Sequence, residues 1–353
     1  MLVFGYMEHT RREFLSCAAA AALPGGLASA ESRPVVSVVR IRNGNTEAAV
    51  EEAIELLGGM AAITRGRERI MLKPNLVAPL PEATTKLPVM RALVRLMRSA
   101  HKDVSIGEGS ATAPPFNVRN NQTFRTTNKQ VLDGLQQHVF DVLGYSEFSR
   151  TERVPLVNLH TGELVEVPVP GALLFDKLTL HRSLTETDLL CSVPMMKTHI
   201  LAGVTLGMKN LIGLYPGAVY QALRGRMHDM AAKVEASATA APILDMMRAN
   251  KLGLVVIDGS SAMEGDGPTA GTQVPMETIV AGTNPLATDM VAASLMGFEP
   301  HEVSTFRWAY KAGLGPRRLD EIETRGEPLE RVRRAFVRPH LVPWNPAFAP
   351  LLS

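Results

Sequence analysis

Five short polar turns, each following an apolar run, hold most of the residues that could do chemistry. Lys73-Pro74-Asn75 follows the first run and Gly107-Glu108-Gly109-Ser110 the second. Pro194-Met195-Met196-Lys197-Thr198-His199 follows the third, with Gly207-Met208-Lys209-Asn210 shortly behind. Asp258-Gly259 follows the fourth and leads into Glu264-Gly265-Asp266-Gly267-Pro268; Gly282-Thr283-Asn284-Pro285 follows the fifth. Lys73, Lys197 and Lys209 form a cationic set suited to a carboxylate or phosphate, because ammonium donors and helix N-termini favour anions. Asn75, Glu108, Ser110, Asn210, Asp258 and Asn284 are the ligand-binding companions of that set. His199, whose unperturbed pKa lies at about 6.5, is the candidate for proton transfer, with Lys197 beside it. A hydrogen-bonded structural histidine is the alternative reading of the same residue. Glu264 and Asp266 lie two apart in a glycine-flanked loop and could set two hard oxygens on a divalent cation such as magnesium. They could equally pair with the lysines, or stand solvated in a tight turn.

Several familiar sites are missing. The turn at Gly107–Ser110 lacks both GxGxxG and Walker spacing, so it gives little support for a nucleotide. No HExxH, paired-histidine or EF-hand spacing occurs, which leaves a dedicated zinc or calcium site unsupported. Ser110 and Ser260 sit in no GxSxG elbow, which argues against an α/β-hydrolase. Met195, Met196, Met208, Met246 and Met247 read as core filling. Arg331, Arg333, Arg334 and Arg338 read as a solvated helix face, with anionic lipid as the alternative.

The elements that position these residues alternate. Apolar, β-branched runs predict strands over 35–41, 69–73, 103–107, 188–193, 252–258 and 278–281. Helical spacing fits a helix running to residue 57 behind an Asn45 or Thr46 cap, then 88–100, 130–143, 233–250, and 285–296 behind Asn284. Residues 112–128 read as a long loop. The expected fold is α/β: a doubly wound, mostly parallel sheet with a small antiparallel insertion over 151–182. It forms a single domain over 31–337, followed by an irregular proline-rich tail over 338–353. Such a sheet gathers the carboxyl ends of its strands along one edge, where ligands bind.

The 37 basic and 35 acidic residues nearly cancel, and aromatics make up only 5%. Neither the basic excess nor the stacking surface of a nucleic-acid binder is present. The first thirty residues read as a targeting segment: Arg11-Arg12 within Thr10–Leu15, an alanine-rich run, then Ala28-Ser29-Ala30. This pattern predicts a twin-arginine signal peptide over 1–30, the twin-arginine translocase as partner, and a periplasmic or extracytoplasmic destination. The apolar run is shorter than the ~20 residues of a bilayer-spanning helix, so no stable membrane span is expected after cleavage. Removal of the segment takes Cys17 and leaves Cys191 alone. One thiol can form neither an internal disulfide, nor an iron–sulfur cluster, nor a cysteine-based zinc site.

The run from Pro194 to Gly213, the Glu264–Pro268 loop, the stretch from Gly282 to Gly297 and Lys73-Pro74-Asn75 together resemble the family catalogued as domain of unknown function 362. The resemblance spans most of the chain beyond residue 35. It implies a shared fold and site pattern without a named reaction. Many relatives carry a ferredoxin-like cysteine cluster, which this chain lacks. The expected function is therefore that of an exported α/β enzyme binding a small anionic substrate or cofactor, with acid–base or cofactor-borne chemistry. A non-enzymatic ligand carrier using the same pocket is the rival reading, and an assembly partner for another exported enzyme is a third.

Overall fold

A computed structural model describes residues 33–352. The targeting segment expected over 1–30 lies outside them.

Eight strands form the spine of the main sheet: β1 (Val35–Arg40), β2 (Arg69–Pro74), β3 (Asp103–Glu108), β4 (Leu156–Asn158), β5 (Leu189–Val193), β6 (Leu252–Glu264), β7 (Thr278–Gly282) and β8 (Glu323–Gly326). Their spatial order is β8-β1-β7-β6-β5-β2-β3-β4. Every neighbouring pair is parallel except those made by β7, which runs antiparallel to β6 and β1. The fold is thus α/β with a mostly parallel sheet.

Alternate residues of one strand feed two different cores, as the two-residue period of a strand requires. Ile70, Leu72, Leu189, Cys191, Leu254 and Val256 pack with the helices Thr46–Glu55, Leu87–Ser99 and Lys129–Val142. Met71, Leu190, Val255 and Ile257 pack on the opposite face with the helices Ala240–Ala249, Pro285–Leu295 and Ser304–Lys311. Both faces are covered, so the central strands read as unbroken apolar runs.

Three expectations need correction. Leu156–Asn158 does not join an antiparallel insertion; it extends the main sheet in parallel beside β3. Only Leu164–Pro168 and Lys177–His181 form the separate hairpin. The helix expected over 233–250 starts only at Ala240, because Ala238 is left-handed and the Glu235 carboxylate accepts the Thr239 N–H at 2.8 Å. Residues 112–128 contain a small hairpin, Val118–Arg119 with Gln122–Thr123. Its turn is Asn120-Asn121, both at positive φ, a conformation asparagine tolerates.

The chain steps outward from β2 to β3 to β4, then returns to β5 on the other side of β2. That reversal opens a crevice at the carboxyl ends of β2 and β5. Past Pro194 the backbone continues as a short strand, Met195–His199, which pairs with the far half of β6 and folds back as Gly203–Thr205. This pairing explains why β6 runs well beyond the expected 252–258. Residues 338–352 contain the short 3-10 turn Pro346–Phe348 and one isolated parallel bridge from Leu351 to Arg125. Among the described residues no helix is long and apolar enough to cross a membrane.

Candidate functional site

A cavity of about 310 Å³ opens at this crevice. It is small for a ligand pocket, a class that runs roughly 300–1,000 Å³. Lys73 and Asn75 reach it from the end of β2, Glu108 and Gly109 from the end of β3, and His199 from the end of its own strand. Lys209, Asn210 and Gly213 come from the turn behind Gly203–Thr205. Leu223, Arg224 and His228 come from the segment that opens the helix Gly225–Ala231, and Trp344 from the tail.

Lys73, Glu108 and Asn210 form a closed network in the wall. The Lys73 ammonium donates to Glu108 at 2.8 Å, to Asn210 Oδ1 at 2.9 Å and to the Pro74 carbonyl at 2.7 Å. All three of its protons are used. Glu108 also accepts the backbone N–H groups of Leu76 and Gly109. The Asn210 amide donates to Lys73 O and Ser192 Oγ, so it stitches β2 to β5. Gly213 lets the backbone press against this pair: a Cβ there would fall 2.5 Å from Glu108 Oε1. Lys73 therefore lends charge to the cavity but holds no donor free for an anion.

Lys209 is different. Its ammonium makes no hydrogen bond with any described residue, and it faces the cavity. Burial first, then Lys73 and Arg224, push its pKa down to about 7, against a smaller pull from Glu108. The turn that carries it is held from below. Asp289, buried on the helix Pro285–Leu295, accepts the Gly207 and Met208 N–H groups at 2.7 and 2.8 Å. Burial pushes that carboxyl up to about 7.

Arg224 donates to the carbonyls of Ser110, Gly109 and Gly213 and leaves its buried Nε without a partner among the described residues. Burial pushes its pKa down to about 10. Leu223 and Arg224 both sit at positive φ, strain that side chains adopt only when the surroundings impose it. Asn75 donates its amide to Asn210 Oδ1 and leaves its own Oδ1 buried and unpartnered. One orphan donor and one orphan acceptor in a single wall are costly unless a ligand or water completes them.

The two histidines have opposite polarity. His199 Nδ1 accepts the Leu201 N–H at 3.0 Å and the Ala202 N–H at 3.4 Å. Burial, Lys209 and Lys197 hold its pKa well below the usual histidine range. The neutral ring therefore carries its proton on Nε2 and can only donate there. His228 Nδ1 lies 2.8 Å from the Ala238 carbonyl, to which it donates, so its Nε2 lone pair is an acceptor. Burial pushes this ring down to about 3, and it stacks on Trp344 at 4.5 Å between centroids. Trp344 is fixed in turn by donating to Asp229 Oδ1 at 2.7 Å.

The charged side chains lining the cavity are thus Lys73, Lys209 and Arg224 against the single carboxylate Glu108, with both histidines neutral. Such a space attracts an anion. It offers that anion an amine poised near neutrality, one imidazole donor and one imidazole acceptor.

The remaining candidates lie elsewhere. Lys197 is fully buried two residues deeper along the strand from His199, donating to Ala83 O at 2.6 Å and Pro268 O at 3.1 Å. Burial, then Lys209 and Lys73, lower its pKa well below the lysine range. It braces the wall behind Pro268 and has no access to a ligand. Ser110 is buried; its carbonyl serves Arg224 and His160, and its Oγ has no partner among the described residues. Asp258 is buried and accepts the N–H groups of Lys86 and Ser260. Asn284 caps the helix Pro285–Leu295 through the Ala287 N–H, away from the cavity. Glu264 and Asp266 do not converge on one point. Glu264 accepts the Val337 N–H at 3.0 Å, and Asp266 holds His340 through its N–H and ring. They fasten the tail, and among the described residues no cluster of three or more His, Cys, Asp or Glu could hold a metal ion.

Arg224, His228 and Trp344 escaped the sequence reading because none follows a strand. Only the positions of strand ends were legible as a shared edge, and these three arrive from a turn, a short helix and the tail.

Comparison with known proteins gives the chain its relatives. A thylakoid-associated protein of Synechocystis sp. is 24% identical over 287 residues, covering 80% of each chain. The lactate racemase apoprotein of Thermoanaerobacterium thermosaccharolyticum aligns with a TM-score of 0.44 at 14% identity, over 78% of this chain and 59% of that one. A protein from Thermotoga maritima aligns with a TM-score of 0.41 at 14% identity, over 71% of this chain and 58% of that one. The chain spans less than two thirds of either solved chain. A family profile matches residues 70–294, well over half the sequence, and on that match the protein belongs to the family Domain of unknown function (DUF362).

Proposed function

We propose that this protein is an exported enzyme that binds a small organic anion in the crevice cavity and uses Lys209 as its proton-accepting amine. One observation carries the reading: an unpartnered lysine faces a cavity in which three cationic side chains meet one carboxylate. An anion relieves the repulsion and supplies the missing partner. The orphaned Arg224 Nε and Asn75 Oδ1 support the same conclusion. His199 was the expected proton carrier, but its Nδ1 lone pair is spent on two backbone N–H groups. Its role is to donate from Nε2 to an oxygen of the bound anion, as neutral imidazoles do when they polarise a carbonyl. That leaves Lys209 as the residue in the cavity able to take a proton near pH 7.

Isothermal titration with acetate, oxalate, phosphate and sulfate at pH 6 tests this. At least one should bind, and Lys209→Met should weaken that binding by about tenfold, the loss of one charge-assisted contact. A positive Lys209 attracts the anion more strongly than the neutral amine does, so affinity should fall as pH rises through about 7. Absence of binding by the whole panel, or equal binding by Lys209→Met, would sink the proposal.

Export is supported by the Arg11-Arg12 pattern and the Ala28-Ser29-Ala30 sequence that follows it.

A further inference from the structure

We propose that Lys209 is a covalent nucleophile that forms an imine with a small 2-oxo acid. The inference deepens the anion-binding reading above and rests on it. An amine attacks a carbonyl only if its lone pair is free, its approach is unblocked and the developing oxyanion has a donor. Lys209 meets the first two conditions: it has no hydrogen-bond partner among the described residues and it lines the cavity. Burial and the neighbouring Lys73 and Arg224 keep much of it unprotonated near neutrality, the same means by which other imine-forming lysines are activated.

His199 meets the third condition, since its Nε2–H is the free end of a ring whose Nδ1 is pinned by backbone N–H groups. His228 supplies the complement, an Nε2 acceptor for the hydroxyl proton of the addition product. A carbonyl alone would leave the Lys73 and Arg224 charges uncompensated. A carboxylate on the adjacent carbon answers them, and the small volume restricts the remainder to a short side chain.

The step balances without any oxidant or reductant. The Lys209 Nζ lone pair forms a bond to the carbonyl carbon while the C=O π electrons move to oxygen. One proton passes from nitrogen to that oxygen, giving a carbinolamine. The C–O bond then breaks, the second amine proton leaves with the oxygen as water, and the C=N bond forms. One water is released for each imine.

The experiment uses the mature protein with pyruvate as probe, sodium cyanoborohydride as trap, and intact mass followed by peptide mapping. The expected result is one reduced adduct per chain, located on Lys209, saturable in pyruvate and suppressed by excess acetate. Lys209→Arg keeps the positive charge and should lose at least about nine tenths of the adduct, a tenfold drop. Should that variant fail to fold, the mapped position in the unaltered protein decides alone. Adducts scattered over surface lysines, or none at all, overturn the imine. Titration of pyruvate in the same preparation separates the two proposals: pyruvate binding without trapping overturns the imine and leaves the anion site standing. Neither binding nor trapping, with the anion panel also silent, overturns both.

Discussion

Lys209 carries its charge into a space that Lys73 and Arg224 already make positive, and the fold bears that cost whenever the cavity is empty. The sign of the effect follows from linkage. Below about pH 7 both the folded and unfolded chains hold the Lys209 proton, and the folded chain carries the full penalty. Between about 7 and the ordinary value of 10.5, the folded chain has released the proton and the unfolded chain has not. Stability of the unaltered protein should therefore rise with pH across that window as far as this group is concerned. Lys209→Met removes the group in both states. At pH 6 the variant should be the more stable by about 2–4 kcal/mol, allowing for a partly solvated ammonium, and by pH 10.5 that advantage should vanish. Denaturant melts at the two pH values measure it. An advantage of the same size at both would show that Lys209 does not titrate between them. The contrast with Lys73 is instructive: three acceptors and a buried carboxylate surround that ammonium, so it is a wall component with no unmet donor.

At the scale of the element, the helix Pro285–Leu295 positions a residue it never touches in sequence. Asp289 reaches from its buried face to the N–H groups of Gly207 and Met208 and so fixes the turn that presents Lys209. Asp289→Ala would leave two buried donors unpaired, at about 1–3 kcal/mol each. The expected outcome is a stability loss of about 2–6 kcal/mol together with weaker anion binding, because the lysine loses its fixed approach. A variant that melts lower yet binds the anion unchanged would separate Asp289 from the site. Much of this scale was legible in the sequence. Runs such as Leu254–Ile257 feed the cores on both faces and read as central strands, and the parallel ones bring their ends to a shared edge, whereas the antiparallel Thr278–Gly282 carries Asn284 to the opposite one. Asn284 announced its helix, though it serves the cap alone. What could not be read were depths and partners. Lys197 and His199 look equivalent in the sequence, yet two residues along one strand separate an enclosed brace from a cavity wall. Glu264 and Asp266 look like a cation site because spacing does not say that residues 337–340 will come to claim their oxygens.

On the scale of the whole molecule, the cavity is assembled from positions between Lys73 and Trp344, so it exists only in the folded chain. The export proposed above would suit such a protein, since the twin-arginine route carries chains already folded. Replacing Arg11 and Arg12 by lysine should leave the full-length precursor in the cytoplasm, read by fractionation and N-terminal sequencing. Recovery outside the cytoplasm with Met1 intact would refute it. Trp344 stacks on His228 and closes one side of the cavity from a segment that also pairs Leu352 with Arg125. That aromatic wall is fastened to Asp229 and Arg125 rather than to the sheet, so loosening it would change access to Lys209 while leaving the turn that carries the amine untouched.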